Sequence, residues 1–348
     1  MIKLIKSAAK AVLSPVLDAT GLYDRRIKHA CREPETWAIV MYHRVIDDPA
    51  SDPFQLGMCV SRERFERQIR YLCQRFNIIS MADGFKRHAM GQPLPRRALS
   101  VTFDDGYLDN LTCALPILQR HGVPFSVYVP TGGMLEGEPL WWDRAITALA
   151  GTHRLELDLQ ELGLSESSDV RSLRGVFAPE TAEAILDRLW SLPPAACADS
   201  LERLERALAP LRSSAAKAPR LSIDQLRELH RQGVEIGAHS VSHPNLTLLD
   251  AARCRHEVVH GRQQLEDWLQ TDVVGFAYPG GRINEVSHAA VVEAGFGYGL
   301  STDTGLNRAP LQRHQLLRIG MPDAHLADFR RSVGSALTLG HSQQHVRS

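Results

Sequence analysis

The chain has 348 residues, 44% of them apolar, enough to bury one large domain together with an insertion or a small second lobe. Lys+Arg and Asp+Glu both number 40, and this zero formal net charge argues against nucleic acid as a partner, because phosphate binding needs a positive field. The six cysteines, Cys31, Cys59, Cys73, Cys113, Cys197 and Cys254, are dispersed with no C-x-x-C, a pattern of free thiols in a reducing compartment rather than of a structural zinc site.

Residues 1–22 intersperse Lys3, Lys6 and Lys10 with apolar side chains. Their longest apolar stretch is too short for a signal-peptide core and is broken by Ser14 and Pro15, and no later run reaches membrane-spanning length. A cytoplasmic protein is expected, with residues 1–35 as a helical extension that packs on the domain or makes peripheral contact with the inner face of a membrane through residues 1–22. A polar linker with Pro34 leads to a buried strand over 36–42, which ends at His43 and Arg44. Over 61–76, Phe65, Ile69, Leu72 and Phe76 share one helix face behind Ser61 as cap. The apolar run from Ala98 reads as a buried strand that delivers Asp104 and Asp105 ahead of Gly106. A helix over 107–121 and a strand over 124–129 follow.

The loop over 131–143 carries Trp141 and Trp142, which are costly to expose and so either plug the core or wall a ligand cleft. Over 151–219 the alternation lapses into helices around 181–189 and 200–211, a mainly helical insertion placed to act as a lid. Alternation resumes with a helix over 223–232, a strand over 234–238 running into His239, and a long helix over 250–269. A strand over 273–277 ends at Tyr278-Pro279-Gly280-Gly281. A helix over 285–294, strands over 298–301 and 316–319 and a helix over 326–337 complete the pattern, with a frayed tail at 338–348. About seven strand-helix units within 36–330 predict an α/β barrel, and no G-x-G-x-x-G follows a strand.

Adjacent carboxylates at a strand end can reach one cavity in different directions, one to bind a cation and the other to handle a proton; the bland alternative is a solvated turn. His239 and His243 stand four apart. On a helical turn both would face one ion, whereas alone they would be a solvated pair or a cap. Asp105, His239 and His243 together make a His-His-carboxylate site with open positions, suited to Zn²⁺ or another late divalent metal. The absence of H-E-x-x-H turns the reading away from peptide hydrolysis.

The segments Thr102-Phe103-Asp104-Asp105-Gly106, His239-Ser240-Val241-Ser242-His243-Pro244 and, more loosely, Phe276-Ala277-Tyr278-Pro279-Gly280-Gly281 resemble the polysaccharide deacetylase family, the NodB homology domain. The resemblance runs over 37–329 and implies a distorted (β/α)7 barrel in which Asp105, His239 and His243 bind the metal and Asp104 is the general base. It also implies a Gly280 backbone N–H at the oxyanion. The activity implied is hydrolysis of an N-acetyl group on an amino sugar, with Zn²⁺, Co²⁺, Ni²⁺ or Mn²⁺ polarising the acetamide, and acetate and a free amine as products.

Two departures stand out. Where the family has an arginine to hold the base, this chain has Ala277, leaving Arg318 or Arg44 to fill the space. The family's late histidine is missing from Leu317-Arg318-Ile319-Gly320-Met321, so the general acid falls to His43 or, failing that, to His314 or His325. Trp141, Trp142 and Tyr278 are candidates to stack on a sugar, and Asp303 is a further supporting residue. The expected substrate is an N-acetylated amino sugar or saccharide precursor, nucleotide-linked or lipid-linked. Removal of a formyl group, cleavage of another C–N amide, and a degenerate barrel that binds a saccharide or partner without turnover are the rival readings.

Overall fold

Apolar runs with strand propensity become parallel strands buried on both faces. In the computed structural model, which describes residues 14–32, 35–51, 57–173, 179–208 and 219–338, six of them pair in sequence order. They are β1 (Thr36–Tyr42), β2 (Ala98–Asp104), β3 (Phe125–Val129), β4 (Glu235–Ala238), β5 (Gly275–Ala277) and β6 (Tyr298–Leu300). A parallel bridge from Leu300 to Leu316, and β7 (Ile319–Gly320) running parallel to β1 at Val40 and Met41, curl the sheet round on itself. Every residue of β2 and β3 is buried, as expected of strands covered by helices on one side and by the barrel interior on the other. The distorted (β/α) barrel read from the sequence is the observed core.

Strand alternation sorts the side chains. Val40 and Tyr42, Leu99, Val101 and Phe103 pack outward with Phe65, Ile69 and Leu72 of helix α2 (Arg62–Arg75). Trp37, Ala98, Tyr128, Ala277, Tyr298 and Leu300 form a separate inner cluster. Asp104 shares the parity of Ala98, Ser100 and Thr102, so the barrel itself aims it inward. Ser100, Thr102 and Ala277 are small there, and that leaves interior room.

The remaining helices are α1 (Leu22–Ala30), α3 (Met81–Ala89), α4 (Leu115–Arg120), α5 (Trp141–Gly151), α6 (Pro179–Trp190), α7 (Pro194–Leu208), α8 (Ile223–Arg231), α9 (Ala251–Leu269), α10 (Glu285–Glu293) and α11 (Leu326–Thr338). Within 1–35, read as a helical extension, α1 forms and packs on α11. Helix α3 was not foreseen; Ser80 caps it by accepting from the Asp83 N–H. The helix expected over 107–121 forms only at α4, after a π-type turn at Asn110–Ala114. The reason is local: Asp109 accepts from the Val45 N–H at 3.0 Å and Asn110 donates to the His43 carbonyl at 2.8 Å, so these side chains tie down the exit of β1.

The tryptophan pair opens α5 instead of lying in a loop. Ala145, Ala148 and Leu149 of α5, ahead of 151, share a second core with Ile185 and Leu189 of α6 and with Leu201 and Leu204 of α7. All six cysteines are unbridged. The proposed membrane-facing stretch falls largely on 1–13, and the tail on 339–348, both outside the described residues. Among the described residues no helix is long and apolar enough to cross a membrane.

Candidate active site

The carboxyl ends of the strands open into a cavity of about 210 Å³. Its floor carries Asp104, Asp105, His43, His239 and His243, and Trp141, Trp142 and Gly280 stand in its walls. Asp104 ends β2 facing inward. The next two residues turn left-handed, Asp105 at φ 74° and Gly106 at φ 66°, which frees Asp105 from strand alternation and returns it to the same cavity. The strain of a left-handed aspartate is held in place by burial.

His239 follows β4. Its Nδ1 bonds the Ala277 carbonyl at 2.6 Å, fixing the tautomer and presenting Nε2, which lies 3.6 Å from Asp105 Oδ1. The Nε2 of His243 lies 3.7 Å from the same oxygen. One ligand atom from each of the three residues falls within 4.8 Å of the others. The two imidazoles do not come from a helical turn, as the spacing suggested. They sit on an irregular loop in which Ser240 has φ 66° and His243 φ 54°.

Electrostatics favour a cation here. Burial, then the neighbouring charges of Asp104 and Asp143, push the Asp105 carboxyl well above the usual carboxylate range. Burial pulls His239 and His243 below the usual imidazole value, so both nitrogen donors are neutral. Two neutral imidazoles and a carboxylate short of positive charge are a donor set that a divalent ion fits.

Asp104 is set apart by its partner. Arg318, fully buried inside the barrel, meets it with two parallel bonds of 2.7 Å, Nη1 to Oδ1 and Nη2 to Oδ2, while its Nε donates to the Ser301 carbonyl at 2.8 Å. Burial alone would raise the Asp104 carboxyl, but Arg318, followed by His239, overrides it and holds the group at about 2. Of the two arginines offered for this position, Arg318 occupies it. Arg44 instead pairs with Asp109 at 2.9 Å and lies over the Tyr107 ring. Ala277 faces the same interior.

His43 lines the cavity, and burial lowers its imidazole to about 4 against the opposing pull of Asp104, so at neutral pH it is uncharged. The alternative acids are elsewhere. His314 donates from Nε2 to the Phe296 carbonyl at 2.9 Å, and neither it nor His325 lines the cavity. Trp142 lies edge-on to His243, ring centroids 4.4 Å apart, and its indole donates to the Tyr107 hydroxyl at 2.8 Å; that hydroxyl in turn lies 3.2 Å from an Asp143 oxygen. Both tryptophans therefore wall the cleft.

Tyr278 does not. It follows the inward Ala277, so strand alternation sends it outward with Phe276, where it is fully buried and cannot stack on a ligand. Asp303 meets the site through its backbone: its carbonyl accepts from the Arg318 backbone N–H at 3.0 Å, and its N–H donates to Ser301 Oγ at 3.1 Å.

Sequence reading missed Glu257. This residue of α9 accepts from the Val241 N–H at 2.9 Å, the Ser242 N–H at 2.8 Å and the Ser242 hydroxyl at 2.7 Å, and so clamps the left-handed loop between the two histidines. Only its position one helix after the histidines hinted at this. Glu257→Ala is expected to weaken divalent-metal affinity about 10- to 100-fold, as loss of groups that orient ligands does, with the fold retained. Calorimetric metal titration beside a thermal melt checks it.

A family model described as polysaccharide deacetylase matches residues 209–299, the segment that holds both histidines. A poly-beta-1,6-N-acetyl-D-glucosamine N-deacetylase of Escherichia coli (strain K12) is 33% identical over 98 residues, 28% of this chain and 14% of that protein. A putative polysaccharide deacetylase, YxkH, of Bacillus subtilis (strain 168) is 25% identical over 85 residues, 24% of this chain and 30% of that protein. The sequence likeness is thus local, and the chain spans well under two thirds of either relative.

The fold likeness is broad. The deacetylase PplD of Streptococcus pyogenes, solved in complex with acetate, superposes with a TM-score of 0.59 at 16% identity over 88% of this chain and 100% of that one. IcaB from Ammonifex degensii does so with 0.55 at 17% identity over 88% and 98%. This chain is thus similar to polysaccharide deacetylases in sequence over residues 209–299, the segment of its two histidines, and to solved deacetylases in fold.

Proposed function

We propose that the protein is a metal-dependent hydrolase that removes the N-acetyl group of an amino sugar, releasing acetate and a free amine. One observation carries the reading: a carboxylate locked by Arg318 stands in the same cavity as a separate Asp-His-His cluster. A binding protein needs no such second, independently held carboxylate. The relative named for poly-beta-1,6-N-acetyl-D-glucosamine supports an N-acetylhexosamine unit as substrate.

Asp105, His239 and His243 would hold the ion, which supplies a polarised acetamide carbonyl and a water acidic enough for a weak base to deprotonate. Each Asp104 oxygen has a lone pair beyond the one given to Arg318, so Asp104 takes the water proton at a carboxylate oxygen. The Gly280 backbone N–H is the donor for the developing oxyanion. His43 enters uncharged and relays the proton to the departing nitrogen, which cannot leave as an amide anion. The finer reading has the sugar carried on a nucleotide or lipid and met on the cytoplasmic face of a membrane. It draws on Lys3, Lys6 and Lys10 among apolar residues.

Chelation is the direct test. Acetate release from N-acetylated amino sugars is expected to fall to background when the protein is stripped of metal, and to return on addition of Zn²⁺, Co²⁺, Ni²⁺ or Mn²⁺. An unchanged rate in protein verified to be metal-free would sink the proposal.

A further inference from the structure

Helix α9 carries a motif that the cavity does not use. The order H-E-x-x-H, absent from the segment of His239 and His243, occurs at His256-Glu257-Val258-Val259-His260. Residues four apart on a helix lie one turn apart on one face, which is how the two imidazoles of that motif grip a single ion. Asp250 caps α9 by accepting from the Arg253 N–H at 2.8 Å, and Cys254, Val258, Gly261 and Leu265 form its buried stripe. That stripe turns His256 and His260 to the opposite side, where both are exposed. Their rings stack, centroids 5.0 Å apart and planes 19° from parallel, and no described residue offers either ring a hydrogen bond or ion pair. A cation held at ~2.0–2.1 Å from each nitrogen needs the two donors about 3 Å apart. The soft torsion about each Cβ–Cγ bond supplies that closure.

The glutamate of the motif is engaged elsewhere. Glu257 accepts from the Val241 and Ser242 N–H groups and from the Ser242 hydroxyl, so it is not free to activate a water beside the pair. Peptide hydrolysis, the chemistry the motif supports in metalloproteases, therefore lacks its base here. Among the described residues no third His, Cys, Asp or Glu completes a ligand group with His256 and His260. Two imidazole nitrogens with water in the remaining positions suit the tetragonal preference of Cu²⁺, which also stands highest in the affinity order of the divalent first-row ions. We propose that His256 and His260 form a second, surface metal site, separate from the Asp105–His239–His243 cluster, for a late divalent transition ion, Cu²⁺ ahead of Ni²⁺ or Zn²⁺. An ion there bridges the turn of α9 that carries Glu257, and so braces from outside the clamp on the histidine loop.

The test titrates the full chain, freed of metal, with Cu²⁺ alone. Bound ion is counted by equilibrium dialysis with elemental analysis, and electron paramagnetic resonance reports its nitrogen ligands. Wild type is compared with H256A, H260A, H239A/H243A and H341A/H345A, the last removing the remaining histidine pair four apart in the sequence. Wild type is expected to bind Cu²⁺ in two classes. H256A and H260A should each keep the cavity class and weaken the other about 10²-fold, since a single imidazole no longer chelates. Both side chains are exposed, so circular dichroism should find the fold unchanged in these variants. H239A/H243A should lose the cavity class and keep a spectrum of two nitrogen donors. H341A/H345A should match wild type. Copper binding unmoved in both H256A and H260A, a second class that disappears in H341A/H345A, or binding abolished altogether by H239A/H243A overturns the surface site. A single class that is lost in H256A and survives in H239A/H243A keeps the surface site and removes the metal from the cavity instead.

Discussion

Asp104→Asn is expected to lower kcat about 10²- to 10⁴-fold, the range that a positioned general base supplies, while leaving bound metal unchanged. The amide keeps the shape of the carboxylate and one acceptor for Arg318, but it cannot take a proton. The separation between Asp104 and the Asp105–His239–His243 cluster makes the result specific, since Asp104 is held by Arg318 at 2.7 Å through both oxygens. Metal content by elemental analysis and kcat on one substrate decide it. A parallel loss of metal would move Asp104 into the ligand set, and an undiminished kcat would remove it as base.

Arg318→Met is expected to destabilise the fold by about 3–5 kcal/mol at neutral pH, the usual result of stripping one partner from a buried ion pair. Its guanidinium is fully buried and Asp104 nearly so. The pH dependence follows from the carboxyl. In the wild type, burial tends to raise Asp104, but Arg318 brings it from 3.8 to about 2, so its ionisation favours the folded state above the unfolded value and that contribution fades as pH falls towards 2. Without Arg318, burial and the neighbouring histidines remain and the folded carboxyl rises. The variant then loses stability as pH climbs above the unfolded value and recovers part of it on acidification, opposite to the wild type. Denaturant melts across pH show this, and D104N/R318M should be more stable than R318M alone, because the uncompensated charge is gone. A double variant no better than the single one would mean that the arginine matters for packing alone.

Much of the site was legible because its residue types are costly to place at strand ends without a purpose. Asp104-Asp105-Gly106 and His239 to His243 are such cases, and both segments meet in one cavity. What the sequence hid was direction. Trp141 and Trp142 read equally well as plugs or walls until α5 was seen to begin at Trp141 and turn both towards the cleft. Tyr278 was misread because only the inward parity of Ala277 shows that its neighbour must face the helices. Arg318 and Arg44 could not be separated by spacing, since the choice depends on which side chain enters the barrel, and that depends on how the curled sheet returns from Leu316 to Ile319 beside β1. The loop of His239 to His243 carries no signal for left-handed Ser240 and His243, nor for the Glu257 clamp, because both arise from packing against α9. Helix α3 is short, and its Gly84 lies so close to Trp37 that a Cβ would stand 2.4 Å from the indole; this is tertiary fit, which local pattern does not encode.

In the proposed enzyme one cavity couples a metal cluster to a separate base for amide hydrolysis on an amino sugar. Acetate and free amine released together from an N-acetylated amino-sugar substrate are to be quantified for metal-loaded wild type beside the metal-loaded Asp104→Ala variant. Equimolar acetate and amine are expected from the wild type and neither from the variant. Metal-loaded wild type that binds the saccharide and releases nothing, or a variant that matches its turnover, would contradict it.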